Sequence, residues 1–292
     1  MSFQIRTATR KQTKLRVGIG GVSGSGKTFG ALQLAYGITG DWTKIGMIDT
    51  ENGRGEIYAE DMGKYLYGRI SAPFSPEKYI EAIKAMEEAG MQVIIIDSMS
   101  HVWEAEGGIL QTNETLAQAK YRGNSYAAWN ESTPKYQKLI EAIIQSPVHI
   151  ISCFRSKSEL VLTDNNGKKE VQKVGMKLIQ RDGIEYEYTV MLEVDLKTHM
   201  AMVTAKDNTH TLDKLGPFQI TPEHGQKLIN WANSGEKVKE EPKEITKEDV
   251  VAFLTGLGVE RKDMAAYILE KTKLDAKTAE PKKVLSALKK AK

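Results

Sequence analysis

The chain has 292 residues, 40% apolar and 27% charged, enough to bury a full core in one large domain or two smaller ones. No stretch reads as a membrane span and the basic N-terminus lacks the apolar core of a secretory leader, so the expected setting is the cytoplasm, with no membrane partner. The single Cys153 excludes an internal disulfide or thiolate metal cluster, and the five histidines have no ligand spacing. The net charge of +3 is unevenly placed: residues 1–235 balance 27 cations with 27 acids, whereas 236–292 carry 14 cations against 11 acids.

"LRVGIGG" (15–21) reads as a strand and "KTFGALQLAYGI" (27–38) as the helix after it. Between them "GVSGSGKT", Gly21 to Thr28, fits the GxxxxGK[ST] pattern in full, in the strand–loop–helix setting which that pattern requires. Glycines let backbone N–H groups turn inward around phosphate oxygens, and the helix N-terminus adds partial positive charge. In such a loop Lys27 reaches the β- and γ-phosphates and the Thr28 hydroxyl is a Mg²⁺ ligand. ATP and Mg²⁺ are the expected ligands, with Gly21, Ser23, Gly24, Ser25, Gly26, Lys27, Thr28 and Phe29 around the nucleotide.

"KIGMIDT" (44–50) is a second strand, followed at once by Glu51. A helix is expected over 75–90, with Ser75 as N-cap, Pro76 at its first position and Gly90 at its end. "MQVIIID" (91–97) is the most continuous apolar run, as suits a central parallel strand, and it ends on Asp97. At a strand end beside a phosphate loop, that carboxylate would serve the Mg²⁺. Ser98 follows, where many ATPases place a glutamate that polarises the attacking water, so another base is needed. Glu51, just past a neighbouring strand and hence at the same sheet edge, is the candidate. The alternative for both Asp97 and Glu51 is a solvated turn residue. Asp49 is assigned a structural role.

Further along, "TPKYQKLIEAIIQS" (133–146) predicts a helix capped by Thr133, and "PVHIISCF" (147–154) a strand. Two alternating runs around Asn165-Asn166-Gly167 predict a hairpin over 159–175. Two more strands are expected over 186–207, antiparallel across the Lys197–His199 turn. The alternation of strands and helices predicts an α/β fold with a mostly parallel central sheet and antiparallel C-terminal strands. A charged, proline-bearing linker (236–248) is expected to separate a core (1–235) from a small helical domain (249–292). Thr246 with Asp249 resembles a capping box at the first of about three short helices.

Ile48-Asp49-Thr50-Glu51, together with Asp97-Ser98, resembles the RecA family, in which such a strand supplies the catalytic glutamate. Residues 180–209 resemble the C-terminal core of RecA-like P-loop ATPases encoded by bacteriophages, core-only relatives that serve as single-strand annealing proteins. The resemblance covers most of residues 3–232. It implies a homo-oligomer, ring or filament, with nucleotide bound between subunits. It places Lys206 where a lysine approaches the neighbour's γ-phosphate. Arg155 falls where a polar γ-phosphate sensor sits, although RecA has glutamine there. For both, the bland reading is a solvated strand-end charge.

The resemblance also implies single-stranded DNA as a partner, held by segments 100–131 and 156–177. The first offers Lys120 and Arg122 beside Tyr121, Tyr126 and Trp129; the second offers Lys168, Lys169, Lys173 and Lys177. Equally, these aromatics could pack under a loop and the lysines guard an exposed strand edge. The lysine-rich C-terminal helices suit an electrostatic foothold on DNA, a contact for a single-strand-binding protein, or a plain solvated face. The implied function is ATP-dependent single-stranded DNA binding in recombination or annealing, in the host bacterial cytoplasm if phage-encoded. A ring-type helicase or translocase motor and a nucleotide-gated DNA-binding scaffold with negligible hydrolysis are the alternatives.

Overall fold

Residues 7–165, 168–236, 247–276 and 279–290 are described by a computed structural model. Chain order begins with β1 (Arg16–Gly21), α1 (Lys27–Thr39), β2 (Ile45–Asp49), β3 (Leu66–Arg69), α2 (Pro76–Glu88) and β4 (Val93–Asp97). It continues through α3 (His101–Glu104), α4 (Ile109–Lys120), α5 (Ser125–Gln145), β5 (His149–Asn165) and β6 (Lys168–Leu178). The core closes with β7 (Val190–Val194), β8 (Ala201–Asp207) and α6 (Pro222–Asn233).

The sheet order is β3-β2-β4-β5-β1-β7-β8, with β6 paired to β5 off this path. Strands β3 to β7 along that order run parallel, whereas β7–β8 and β5–β6 are antiparallel. This is the α/β fold of a P-loop NTPase core. Strand alternation splits the core between the two sheet faces. Val17, Ile19, Val93 and Ile95 join α1 and Leu228 of α6 on one face. Ile94, Ile96 and Ile150 join Tyr79 and Ile83 of α2 and Leu139 and Ile143 of α5 on the other. Helices α1 and α6 meet backbone to backbone: a Cβ on Gly37 would lie 1.9 Å from the Pro222 carbonyl oxygen, so only glycine fits there.

Several expectations shift. Helix α5 starts at Ser125 rather than Thr133, because Asn124 accepts a hydrogen bond from the Ala127 N–H at 3.0 Å and caps it. Pro134 therefore lies inside the helix, where it withholds a donor from Asn130, whose exposure lets water replace it. Segment 100–131, expected to be a DNA-binding loop, is largely helical through α3, α4 and the start of α5. Strand β5 does not stop at Phe154 but runs on to pair with β6; the hairpin turn at 166–167 lies outside the described residues.

The chain forms two compact units, 1–237 and 238–292. In the second, α7 (Lys247–Gly256), α8 (Met264–Thr272) and α9 (Pro281–Lys290) share a small core of Val250, Leu254, Met264, Ile268, Val284, Leu285 and Leu288. The expected capping residues Thr246 and Asp249 lie outside the residues whose side chains are described. Among the described residues, no helix is long and apolar enough to cross a membrane.

Candidate active site

The parallel register brings the expected site residues to one edge. Asp49 pairs with Asp97, Asp97 with Cys153, and Gly21 with Arg155, so the ends of β2, β4 and β1 lie side by side with the middle of β5, where it leaves the parallel sheet. Between β1 and α1 the chain turns with Gly24 at φ 84° and Gly26 at φ 99°, values in which a side chain is strained. Gly26 is also the N-cap of α1, so no side chain occupies the helix's first N–H groups. Ser25 is fully buried and its hydroxyl has no hydrogen-bond partner among the described residues, the kind of orphan that a phosphate oxygen satisfies. Buried Lys27 donates to the Val22 carbonyl at 2.8 Å, within the loop itself. Phe29 is 40% exposed and leans edge-on against Tyr58, leaving an apolar surface beside the loop.

Thr28 donates to Asp97 Oδ2 at 2.5 Å. Burial, reinforced by the charges of Glu51 and Asp49, pushes the Asp97 carboxyl up to about 6, against the opposing pull of Thr28 and Lys27. A hydroxyl and a carboxylate in contact are hard oxygen donors, the type that Mg²⁺ takes, so the residues fit that ion.

Glu51 sits on a loop pinned by Asp49. The Asp49 carboxylate accepts from the Glu51 and Gly55 N–H groups and from Tyr67 Oη, the last two at 3.0 and 2.9 Å. Glu51 itself faces two guanidiniums. Arg155 Nε donates to its Oε1 at 2.8 Å and Arg54 Nη1 to its Oε2 at 3.3 Å. Burial would raise the Glu51 carboxyl, but the hydrogen bond and charge of Arg155, aided by His101 and Lys27, hold it below its ordinary value. Behind it, the Thr50 hydroxyl lies 2.7 Å from His101 Nδ1 and accepts from the Ser98 N–H at 2.8 Å, tying β2 to the turn after β4.

The profile of the AAA domain family matches residues 13–221, which spans all the elements just described. The chain belongs to this family. No curated protein matches it. Its core is thus an AAA-type P-loop ATPase domain, and nucleotide binding with ATPase activity is the function class that the family carries.

Not every expected residue joins this edge. Lys206 lies beside Asp207, which pairs with Val190 at the opposite end of β7, and its Nζ donates to the Tyr186 carbonyl at 2.7 Å. It is therefore not brought to its own chain's phosphate loop. Lys120 is engaged by Glu131 at 2.7 Å and Lys177 by Asp182 at 2.7 Å, while Arg122 is exposed. The side chains of Lys168, Lys169 and Lys173 lie outside those described. Three site neighbours carried no sequence signal. Arg54 is one arginine in a polar turn, and His101 opens a short helix. His199 reaches the loop from the β7–β8 turn, its Nδ1 being 2.9 Å from the Ser25 carbonyl oxygen.

Proposed function

We propose that this domain hydrolyses ATP at the carboxyl edge with Glu51 as general base, and that ATP controls its hold on single-stranded DNA in a RecA-like, phage-type oligomer. The observation that carries the proposal is that the Glu51–Arg155 pair and the Thr28–Asp97 pair share the carboxyl edge at the phosphate loop, near enough for the charge of Glu51 to raise the Asp97 carboxyl. Lys27, the Ser25 hydroxyl and the first N–H groups of α1 bind the phosphates. Thr28 and Asp97 would hold Mg²⁺, which when bound neutralises charge on the phosphate oxygens. A carboxylate oxygen of Glu51 accepts the proton of the attacking water, and Arg155 offers positive charge to the transferred group. Lys206, remote from its own loop, is assigned to the neighbouring subunit's nucleotide.

Support for a nucleic-acid partner comes from two grooves of about 580 and 430 Å³ that share Trp103 and Arg181. Trp103 and Trp129 stack at 5.9 Å in the first, beside Tyr126, and Lys157 lines the second, with Lys177 there paired to Asp182. Aromatic faces accept bases regardless of sequence and cations neutralise phosphates, which suits single strands. The test is ATP turnover with and without single-stranded DNA, paired with sizing in each nucleotide state. DNA-stimulated turnover with ATP-dependent assembly is expected. No DNA effect on either quantity removes the DNA half of the proposal, and negligible turnover with intact assembly favours the scaffold alternative.

A further inference from the structure

Both carboxylate oxygens of Glu51 are engaged, and the two partners differ in kind. Arg155 is two-thirds buried (side chain 32% exposed), stands at 2.8 Å, and comes from β5, a central strand. Arg54 is 62% exposed, stands at 3.3 Å, and comes from the turn after β2. The same Arg54 Nη1 lies 3.4 Å from the Ser23 hydroxyl oxygen. Ser23 belongs to the phosphate loop, so one guanidinium spans the site where a triphosphate tail is cradled and the carboxylate that faces it. Glu51 is only 12% exposed, but a single long contact from an exposed guanidinium is held less firmly than the 2.8 Å bond from Arg155 and can be exchanged. A polyphosphate carries more negative charge than one carboxylate and accepts guanidinium hydrogen bonds in the same forked geometry.

We propose that Arg54 is a positioning residue for the terminal phosphate of ATP, shared in competition with Glu51, and that its transfer from Glu51 to the nucleotide frees Oε2 for the attacking water. Arg155 is the fixed arm of this clamp and keeps the carboxylate oriented while Arg54 leaves. Paired to two cations, the carboxylate is a poor proton acceptor; losing one partner restores basicity when the substrate is in place. Water is thereby activated only under a bound triphosphate. The catalytic half of the proposal rests on Glu51 being the base, whereas the binding half does not.

The experiment is a double-mutant cycle on the full chain, reading Mg²⁺-dependent affinity for ADP and for the β,γ-imido analogue of ATP. Arg54→Gln should weaken the analogue about tenfold, the value of one charge-assisted hydrogen bond, and leave ADP within about twofold. Arg54→Lys should recover part of that loss, and the unliganded melting point should match the parent's, separating a lost phosphate contact from a damaged fold. In a Glu51→Gln background Arg54 has no charged competitor, so Arg54→Gln should then cost at least about threefold more than in the parent. Equal losses for ADP and the analogue, no loss for either, or additive effects in the cycle overturn the clamp. Full turnover by Glu51→Gln would instead remove Glu51 as the base, with the binding cycle still deciding the role of Arg54.

Discussion

The two ends of the parallel sheet both bury charged groups, but they fasten them differently. At the amino ends of β1 and β5, Arg16 donates to the carbonyls of Leu15, Val148, Ile144 and Ser146 at 2.5–2.9 Å. Two of those carbonyls belong to the end of α5, which favours a cation. His149 Nδ1 accepts the Leu15 N–H at 3.0 Å. At the carboxyl ends the bonds run between side chains, Thr28 to Asp97 in one group and Arg155 and Arg54 to Glu51 in the other. Backbone partners cannot leave without unfolding the sheet, whereas side-chain partners can rotate towards a ligand. One end is a rivet, and the other a site.

The strongest way to break this comparison is to mutate both ends. Glu51→Gln should cut ATP turnover by about 10²–10⁴-fold while leaving stability almost unchanged. Arg16→Met should do the reverse, lowering stability by about 3 kcal/mol through buried carbonyls left unpaired, with turnover of the folded fraction retained. Steady-state ATPase and chemical denaturation of both variants check this. If Glu51→Gln proves the more destabilising, the division into rivet and site is wrong.

pH sharpens the contrast, because the two ends titrate with opposite sign. Burial, with Lys14 and Arg16 adding to it, drives His149 down to about 3. Its depressed value adds stability that is complete above about pH 6.5 and is lost as pH falls towards 3, at most about 5 kcal/mol. Asp97 is raised to about 6 by burial first and by Glu51 and Asp49 next, so its contribution is present below about pH 3.8 and lost as pH rises through 6. Asp97→Asn should therefore stabilise the nucleotide-free protein at pH 7 by up to about 3 kcal/mol while abolishing turnover. Denaturation across pH 4–8, with His149→Gln as the opposite control, tests both signs; a less stable Asp97→Asn at pH 7 would contradict the assigned direction.

The smallest expected effect lies away from both ends. The Lys120–Glu131 pair joins α4 to α5 in an exposed position, so Lys120→Ala should leave the melting point within the error of its measurement. Because Glu131 already engages that lysine, Lys120→Ala should weaken single-stranded DNA binding less than Trp129→Ala does. The opposite order, measured by DNA titration at fixed salt, would move the proposed contact from the aromatic groove to the end of α4.

Local patterns were legible where each residue's role follows from its neighbours in sequence. The loop from Gly21 to Thr28 is of that kind, as are the apolar run ending at Asp97 and the Lys197–His199 turn between antiparallel strands. Legibility failed where competing signals were local too. Thr133-Pro134 looks like a helix start, yet the capped turn at Asn124 and the buried face of Ala128, Ser132 and Tyr136 carry α5 straight through it. Strand β3 went unseen because its four residues are half exposed and lack an apolar run.

By itself, then, the sequence determined the phosphate loop, the strand-end carboxylates and the alternating architecture, since period, glycine placement and motif spacing are properties of neighbouring residues. Only the tertiary structure decided which charges meet. The registers of β5 against β4 and of β4 against β2 bring Arg155 to Glu51, a turn folds Arg54 back onto both Glu51 and Ser23, and the β7–β8 turn brings His199 to the loop. The physical reason is that a guanidinium over 100 residues from its carboxylate leaves no periodic trace in the chain, because the contact is a product of parallel strand pairing and not of local propensity.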